Sequence, residues 1–302
     1  MKLRAPIVVG VDGSACALDA VRWSAREAAL RSRPLHLVAA SPAAPDTFGN
    51  AFRLTAENFP DQKYAGLQRL SNARSAAIKE FGGSLVSVTE HLGYGHAVDV
   101  LLEESRDCSI LAVGSRGQGQ LTSGLLGSVS SAVALHARVP VAIIRGISNP
   151  GKSASDGPVV VGVDGSANSE PAIAEAFESA SLHGVGLVAV HAWTDLDLAT
   201  VFRSDPDGVA LDWDAIESGE HAVLSESLAG WSEKFIDVAV RHVVVRDRPV
   251  HALIAESTSA QLVVVGSRGR GGFTSMLLGS TSRRLMNSAH CPILIVHSSN
   301  TP

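Results

Sequence analysis

Several things are scarce in this sequence, and each scarcity excludes something. Its 302 residues hold three cysteines, Cys16, Cys108 and Cys291, far apart and without a CxxC pair. No disulfide framework or thiolate metal cluster is encoded, and the thiols are expected to act as small apolar residues in a reducing compartment. No apolar run approaches the roughly 20 residues a membrane helix needs. Met1 to Pro6 leads straight into a strand-like segment without a long apolar h-region, so the expected location is cytoplasmic. Charged residues make up 18% of the chain and the net charge is −5, with only short runs of one sign. That leaves no basic surface for nucleic acid or anionic membrane. HExxH and GxSxG are missing, which excludes a zincin and an α/β-hydrolase elbow, and GxxxxGK[ST] matches only at Gly146–Ser153, a Pro/Gly/Ser-rich stretch followed by a strand-like run instead of a helix, so a P-loop NTPase is not expected. No Ser-His-Asp or Cys-His order defines a triad. None of His36, His91, His96, His136, His183, His191 and His221 has metal-ligand spacing, so neither catalytic nor metal residues are assigned.

What is present is a hydrophobic fraction of 45% and a sequence that repeats itself. Ile7-Val8-Val9-Gly10-Val11-Asp12-Gly13-Ser14 returns as Val159-Val160-Val161-Gly162-Val163-Asp164-Gly165-Ser166. Gly114-Ser115-Arg116-Gly117 returns as Gly266-Ser267-Arg268-Gly269, and Val139-Pro140-Val141 as Cys291-Pro292-Ile293, always 152 positions on (266 − 114, 291 − 139). The expected organisation is one domain over 1–147, a Pro/Gly/Ser-rich linker over 148–157 and a second domain over 158–302.

Within each half, short β-branched runs alternate with segments of helical period. In the first half, strands are expected at Ile7–Val11, Leu35–Ala39, Leu85–Val88, Ile110–Val113 and Val141–Ile144. Helices are expected after Ser14 as N-cap, over Gln62–Phe81, over Ala97–Glu104 and from Ser128. The first helix puts Leu18, Val21, Ala25, Ala28 and Ala29 on one face and Arg22, Arg26 and Glu27 off it. The second half places strands near Val159, Leu187, Val238–Val245, Leu262 and Ile293. This alternation predicts an α/β fold with a parallel sheet covered on both faces, whose ligand site lies beyond the carboxyl ends of the strands.

The sharpest motif is Gly114-x2-Gly117-x9-Gly127-Ser128, repeated as Gly266-x2-Gly269-x9-Gly279-Ser280. Glycines allow left-handed φ values and keep Cβ atoms away from an anion approaching the backbone amides. Each Gly-Ser opens a segment of helical period, whose first amides can face a phosphate. The hydroxyls of Ser128, Ser130, Ser280 and Ser282 are expected to donate to the same oxygens. The glycines persist where neighbours differ, as at Gln118/Arg270 and Gln120/Gly272. Arg116 and Arg268 either reach phosphate oxygens or stand in solvent. Asp12 and Asp164 follow buried strands, where a ligand contact and an Asx-type turn are compatible roles.

With these motifs the chain resembles a tandem universal stress protein of the ATP-binding G-x2-G-x9-G-[S/T] type, as found in actinobacteria. The resemblance covers the whole chain and includes GVDGS and the late Val/Cys-Pro-[VI] strand. It implies two Rossmann-like domains of the adenine nucleotide alpha hydrolase type, each a five-stranded parallel sheet of order 3-2-1-4-5, joined through their last strands. It also implies one ATP per domain, accompanied by Mg²⁺, in a regulatory stress-response protein that pairs as a homodimer, with a slow ATPase or adenylate-transferring enzyme as the alternative. Asp12 and Asp164, beside Gly10 and Gly162, would sit at the nucleotide, and backbone groups of Val38-Ala39 and Val190-His191 would meet the adenine. The loops Gly114 to Gln120 (through Gly119) and Gly266 to Gly272 (through Gly271) would hold ribose and phosphates. Val129 and Thr281, with the serines on either side, would complete the two helix starts. His191 replaces Ala39 at the matching position, so the two adenine pockets are expected to differ in shape. Trp193, Trp213 and Trp231 surround the acidic stretch Asp195–Glu220, which reads as helix core plus solvated loop or as a lid.

Overall fold

The computed structural model describes residues 4–41, 60–81, 86–117, 126–145, 157–193, 212–270 and 277–297. The chain divides into two compact units, residues 1–149 and 150–302. The expected linker lies outside the described residues except at position 157.

In the first unit the order is β1 (Ile7–Gly10), α1 (Ala15–Leu30), β2 (Leu35–Ser41), α2 (Pro60–Glu80), β3 (Val88–Tyr94), α3 (Ala97–Glu104), β4 (Ile110–Gly114), α4 (Ser128–His136) and β5 (Val141–Ile144). The strands lie in the order β3-β2-β1-β4-β5, every pair parallel. The second unit contains β6 (Val159–Gly162), α5 (Glu170–His183), β7 (Leu187–Trp193), α6 (Trp213–Lys234), β8 (Val240–Arg246), α7 (Pro249–Ser257), β9 (Leu262–Gly266), α8 (Ser280–Ser288) and β10 (Ile293–Val296). Its order, β8-β7-β6-β9-β10, is the same pattern, again all parallel.

Central strands made of consecutive apolar residues must be covered on both faces, and they are: Ile7, Val8 and Val9 are 0% exposed, as are Val159, Val160 and Val161. Truncating one such side chain to alanine costs about 2–5 kcal/mol. Ser14 caps α1 as its sequence context predicts, its Oγ accepting from the Ala17 amide at 3.1 Å. Between β1 and β4 the chain order reverses, which opens a crevice at the carboxyl ends of those two strands.

Two details depart from the sequence reading. The third strand runs Val88–Tyr94 rather than Leu85–Val88. As the edge of its sheet it carries the polar run Thr89-Glu90-His91, so its apolar prelude misleads. Glu27 is also on the buried side of α1, at 2% exposure, beside Ala20, Ser24 and Ala28, while Leu18 is only half-buried. The carboxylate is tolerated there because Arg31, one turn on, donates to it at 2.9 Å within the same dry environment.

Candidate functional site

The turn after β1 and the loop after β4 meet over a cavity of about 360 Å³ in the first unit. That volume falls within the roughly 300–1,000 Å³ of small-molecule sites. Of the residues expected at a ligand, it brings together Gly10, Asp12, Val38, Gly114, Arg116, Gly117, Gly127, Ser128, Val129 and Ser130. Val38 and Ala40 line it, whereas Ala39 lies between them on the opposite face of β2 by the alternation of a strand. Gln118, Gly119, Gln120, Gly271 and Gly272 lie outside the described residues. In the second unit the counterpart of every lining residue is the same amino acid, except that Ala17, Ala97 and Val129 become Ser169, Pro249 and Thr281.

Asp12 takes the turn role expected of it and lines the cavity. Its Oδ1 accepts from the Ser14 amide at 2.8 Å, an Asx-type turn. Its Oδ2 faces Gly117, where a Cβ would come within 2.7 Å of it. Asp164 repeats the arrangement: Oδ1 accepts from the Ser166 amide at 2.9 Å and from the Ser166 hydroxyl at 2.6 Å, and a Cβ on Gly269 would stand 2.6 Å from Oδ2. In this unit Oδ2 also accepts from the Arg270 amide at 2.7 Å, fastening the loop to the end of β6.

The reason for the motif glycines is therefore close approach, not the left-handed backbone expected. Positive φ among glycines is confined to Gly13, Gly95, Gly165 and Gly184 among the described residues. Gly114 lies against the first turn of α1, where an added Cβ would meet the Cys16 carbonyl carbon at 2.7 Å and the Ala17 nitrogen at 2.8 Å. Gly117 leaves a hollow beside a carboxylate, and Gly127 and Gly279 occupy N-cap positions with φ near −67° and −68°. A glycine cap offers no side-chain acceptor, so the first-turn amides of α4 and α8 are left for another acceptor.

The four serines divide. Ser128 and Ser280 are exposed at the helix starts. Ser130 and Ser282 are buried, and their hydroxyls donate to the carbonyls of Gly114 and Gly266 at 2.8 and 2.7 Å. A hydroxyl has one proton, so these two hold strand to helix and do not donate to a ligand, contrary to the sequence expectation. The Ser115 hydroxyl is buried and has no hydrogen-bond partner among the described residues.

Sequence reading missed part of the apolar wall, Ala40, Ala97, Leu101 and Val113. Its signal was present: Gly10 leaves room for α3, with an added Cβ 3.1 Å from a Leu101 methyl. It also missed the residue after each last strand. The Ser115 amide donates to the Ile144 carbonyl at 2.7 Å and the Ser267 amide to the Val296 carbonyl at 2.8 Å, which brings Arg145 and His297 beside the glycine loops. Burial, and then the Arg116 charge, lower the Arg145 pKa below the usual guanidinium value. Burial, and then Arg268, push His297 down to about 4.

Other candidates fall away from the site. The His191 ring is 1% exposed; its Nδ1 donates to the Val163 carbonyl at 2.8 Å and its Nε2 lies 2.5 Å from Glu220 Oε2 on α6. Strand alternation sets that side chain on the face opposite Val190, so it does not reshape an adenine pocket. Trp193 stacks on Trp213 at 6.3 Å with Arg246 lying 3.9 Å over the latter, while Trp231 pairs separately with Phe235 at 6.4 Å. The acidic stretch before residue 212 lies outside the described residues. Cys108 and Cys291 are buried thiols pushed up to about 12 by desolvation. Among the described residues no group of three His, Cys, Asp or Glu side chains could hold a metal ion, and no helix is long and apolar enough to cross a membrane.

The universal stress protein family model matches residues 4–145 and again 157–297. Universal stress protein Rv2005c of Mycobacterium tuberculosis is 40% identical over 303 residues, covering 97% of each chain. Universal stress protein Rv2623 of the same organism is 39% identical over 296 residues, covering 98% of this chain and 97% of that one. A universal stress protein from Archaeoglobus fulgidus of known structure aligns with a TM-score of 0.69 at 20% identity over 97% of this chain and 98% of that one, which shows a shared fold. Matched in both halves and over nearly its full length, the chain belongs to the universal stress protein family.

Proposed function

We propose that each half binds one ATP and that the protein acts as a nucleotide-dependent regulatory module rather than an enzyme. The observation that carries this reading is the cavity at the switch point of the first sheet, where an apolar wall (Val38, Ala40, Leu101, Val113) meets a polar end built from Arg116, Gly117, Gly127 and the start of α4. An adenine suits the wall and a polyphosphate suits the amides and the guanidinium. The hollow at Gly117, which a Cβ would fill, fits a ligand that brings its own polar groups. Near-identity of the lining supports the same role for the second half.

Mg²⁺ would arrive on the triphosphate, coordinated mainly by phosphate oxygens and water, because this chain contributes no three-ligand set among its described residues. Among the described residues the carboxylate lining the cavity, Asp12, is engaged through Oδ1 with the Ser14 amide, and retention without rapid turnover is the expected behaviour. Joining of the halves through their last strands and pairing of two chains belong to the same proposal, and light scattering measures the second. The test of ATP binding is mass analysis of ligand extracted from the purified protein, followed by equilibrium titration. Two ATP per chain, with loss slower than about 1 s⁻¹, supports the reading. Faster turnover supports the enzyme alternative, and no binding at millimolar ATP overturns both.

A further inference from the structure

The two halves share a lining but not the residue that flanks the phosphate loop from the last strand. In the first half it is Arg145, next to Arg116; in the second it is His297, next to Arg268. Both placements follow from the same hydrogen bond, loop amide to last-strand carbonyl. The first pair is two permanent cations held near one another in a partly buried place. The second pair has one permanent cation and one imidazole, whose Nε2 is buried with no hydrogen-bond partner among the described residues.

A buried, unpartnered ring nitrogen beside a guanidinium is a costly arrangement that a suitable ligand would relieve. An anion would cancel the field of Arg268 and offer Nε2 an acceptor. The elements packed on β10 carry Glu170, Glu175, Glu178 and His183 on α5, Arg283 and Arg284 on α8, and Arg268 on the loop after β9. Among these, Arg268 is the one whose charge acts on His297, and it acts together with burial to keep the ring neutral near pH 7. Arg145 has no corresponding neutral state in the physiological range.

Building on the nucleotide reading above, we infer that His297 is a ligand-gated phosphate contact: when an anionic phosphoryl group settles beside Arg268, the imidazole takes one proton from solvent and its Nε2–H donates to a phosphate oxygen. No bond other than N–H is made or broken, and the buffer supplies the proton. The halves are then distinguishable by pH. Affinity in the second half rises as pH falls toward the range where the bound imidazole is protonated, by at most about tenfold per pH unit for one linked proton. Affinity in the first half follows only the ligand's own titration.

The experiment is isothermal titration of the full chain with ATP in buffers of differing ionisation enthalpy, at pH 6.5 and 8. The proton count of wild type is compared with those of His297→Gln and His297→Arg, so the protonation of ATP itself cancels. The inference expects a proton uptake at pH 6.5 that is larger in wild type by up to about one per chain. It also expects a gain of uptake in Arg145→His. If one variant fails to fold, the other carries the comparison. Binding in both halves with equal proton counts in all three proteins overturns the inference and leaves the site reading standing. Absence of nucleotide binding in wild type overturns both.

Discussion

Replacing the first motif glycine with alanine should have unequal consequences in the two halves, although the motif is identical. In Gly114→Ala the new methyl meets backbone: the Cys16 carbonyl carbon at 2.7 Å, its oxygen at 2.8 Å and the Ala17 nitrogen at 2.8 Å. Those atoms belong to the first turn of α1, which starts at Ala15 and is fixed by the Ser14 cap, so they cannot give without moving a helix. Overpacking of this kind costs about 1–3 kcal/mol. The smaller conformational freedom of alanine in the unfolded chain returns about 0.4–1 kcal/mol. The net is a loss centred on about 1.3 kcal/mol and reaching about 2.6, and the central value lowers the melting temperature of a unit of this size by about 3–5 °C. At Gly266 the nearest atoms are the Arg268 and Asn168 carbonyl oxygens, at 3.1 and 3.2 Å. There the next helix starts only at Glu170, beyond the counterpart of Ala15, so Asn168 sits in a turn that can yield by a few tenths of an ångström. Gly266→Ala should therefore stay within about 0.5 kcal/mol of wild type, since a mild contact is offset by the entropy gain. Calorimetry of both variants measures the difference. Equal losses, or a larger loss for Gly266→Ala, would refute the close-approach account of this motif.

Gly117→Ala and Gly269→Ala drive a methyl against Asp12 Oδ2 and Asp164 Oδ2, which can rotate, so each should fold and each should lose one of two bound nucleotides by equilibrium titration. Glu27→Ala removes the carboxylate to which Arg31 donates, in a site where both are almost fully buried, and should cost about 3–5 kcal/mol in denaturant unfolding, whereas Glu27→Leu with Arg31→Met should recover most of it. Of the three thiols, only the half-exposed Cys16 should react promptly with a disulfide reagent at pH 8, because burial holds Cys108 and Cys291 up at about 12; quantitative release from the native protein counts the reactive groups. His297 is held neutral by the fold, with a pKa near 4 against about 6.5 when unfolded, so the unfolded chain binds more protons between those values. Stability is full above pH 6.5 and falls as pH drops toward 4, by up to about 3 kcal/mol, and His297→Gln should flatten that part of the acid unfolding curve of wild type.

Architecture was legible because the apolar runs are uninterrupted. Ile7–Val9, Ile110–Val113 and their repeats can only be strands buried on both faces, and α3 and β5 fall at the residues that periodicity assigns. The edge strand β3 was less legible, since a strand exposed along one side carries Glu90 and His91 where a central one carries valine. The glycine spacing pointed to a loop that borders the cavity, but the reason each glycine is there depends on what lies across from it. Nothing in Gly114-Ser115-Arg116-Gly117 announces that Cys16 and Asp12 are its neighbours. The serine roles were misread for the same cause. Whether a hydroxyl faces a ligand or the Gly114 carbonyl is settled by a helix-to-strand contact across sixteen residues.

Duplication left each half the same lining and then let the supports diverge, and the divergence has a direction. In the second half the His191 ring bridges Val163 to Glu220, the Asp164 carboxylate takes the Arg270 amide, and a Cβ on Gly165 would meet both Arg270 and Val223 of α6; of these supports, the His191 bridge is the one whose residues the first half lacks. At the position of His191 the first half has Ala39, and at that of Glu220 it has Gln68, which cannot form the bridge. The turn carrying Asp164 is thus held from the helix side as well as from the loop side. A site whose walls are held in place gives up less conformational freedom on binding. Substituting His191 by Ala, the residue its repeat tolerates, should therefore weaken nucleotide binding in the second half while leaving the first unchanged. Equal affinity in His191→Ala and wild type, measured by titration of each, would show that the bridge stabilises the fold alone.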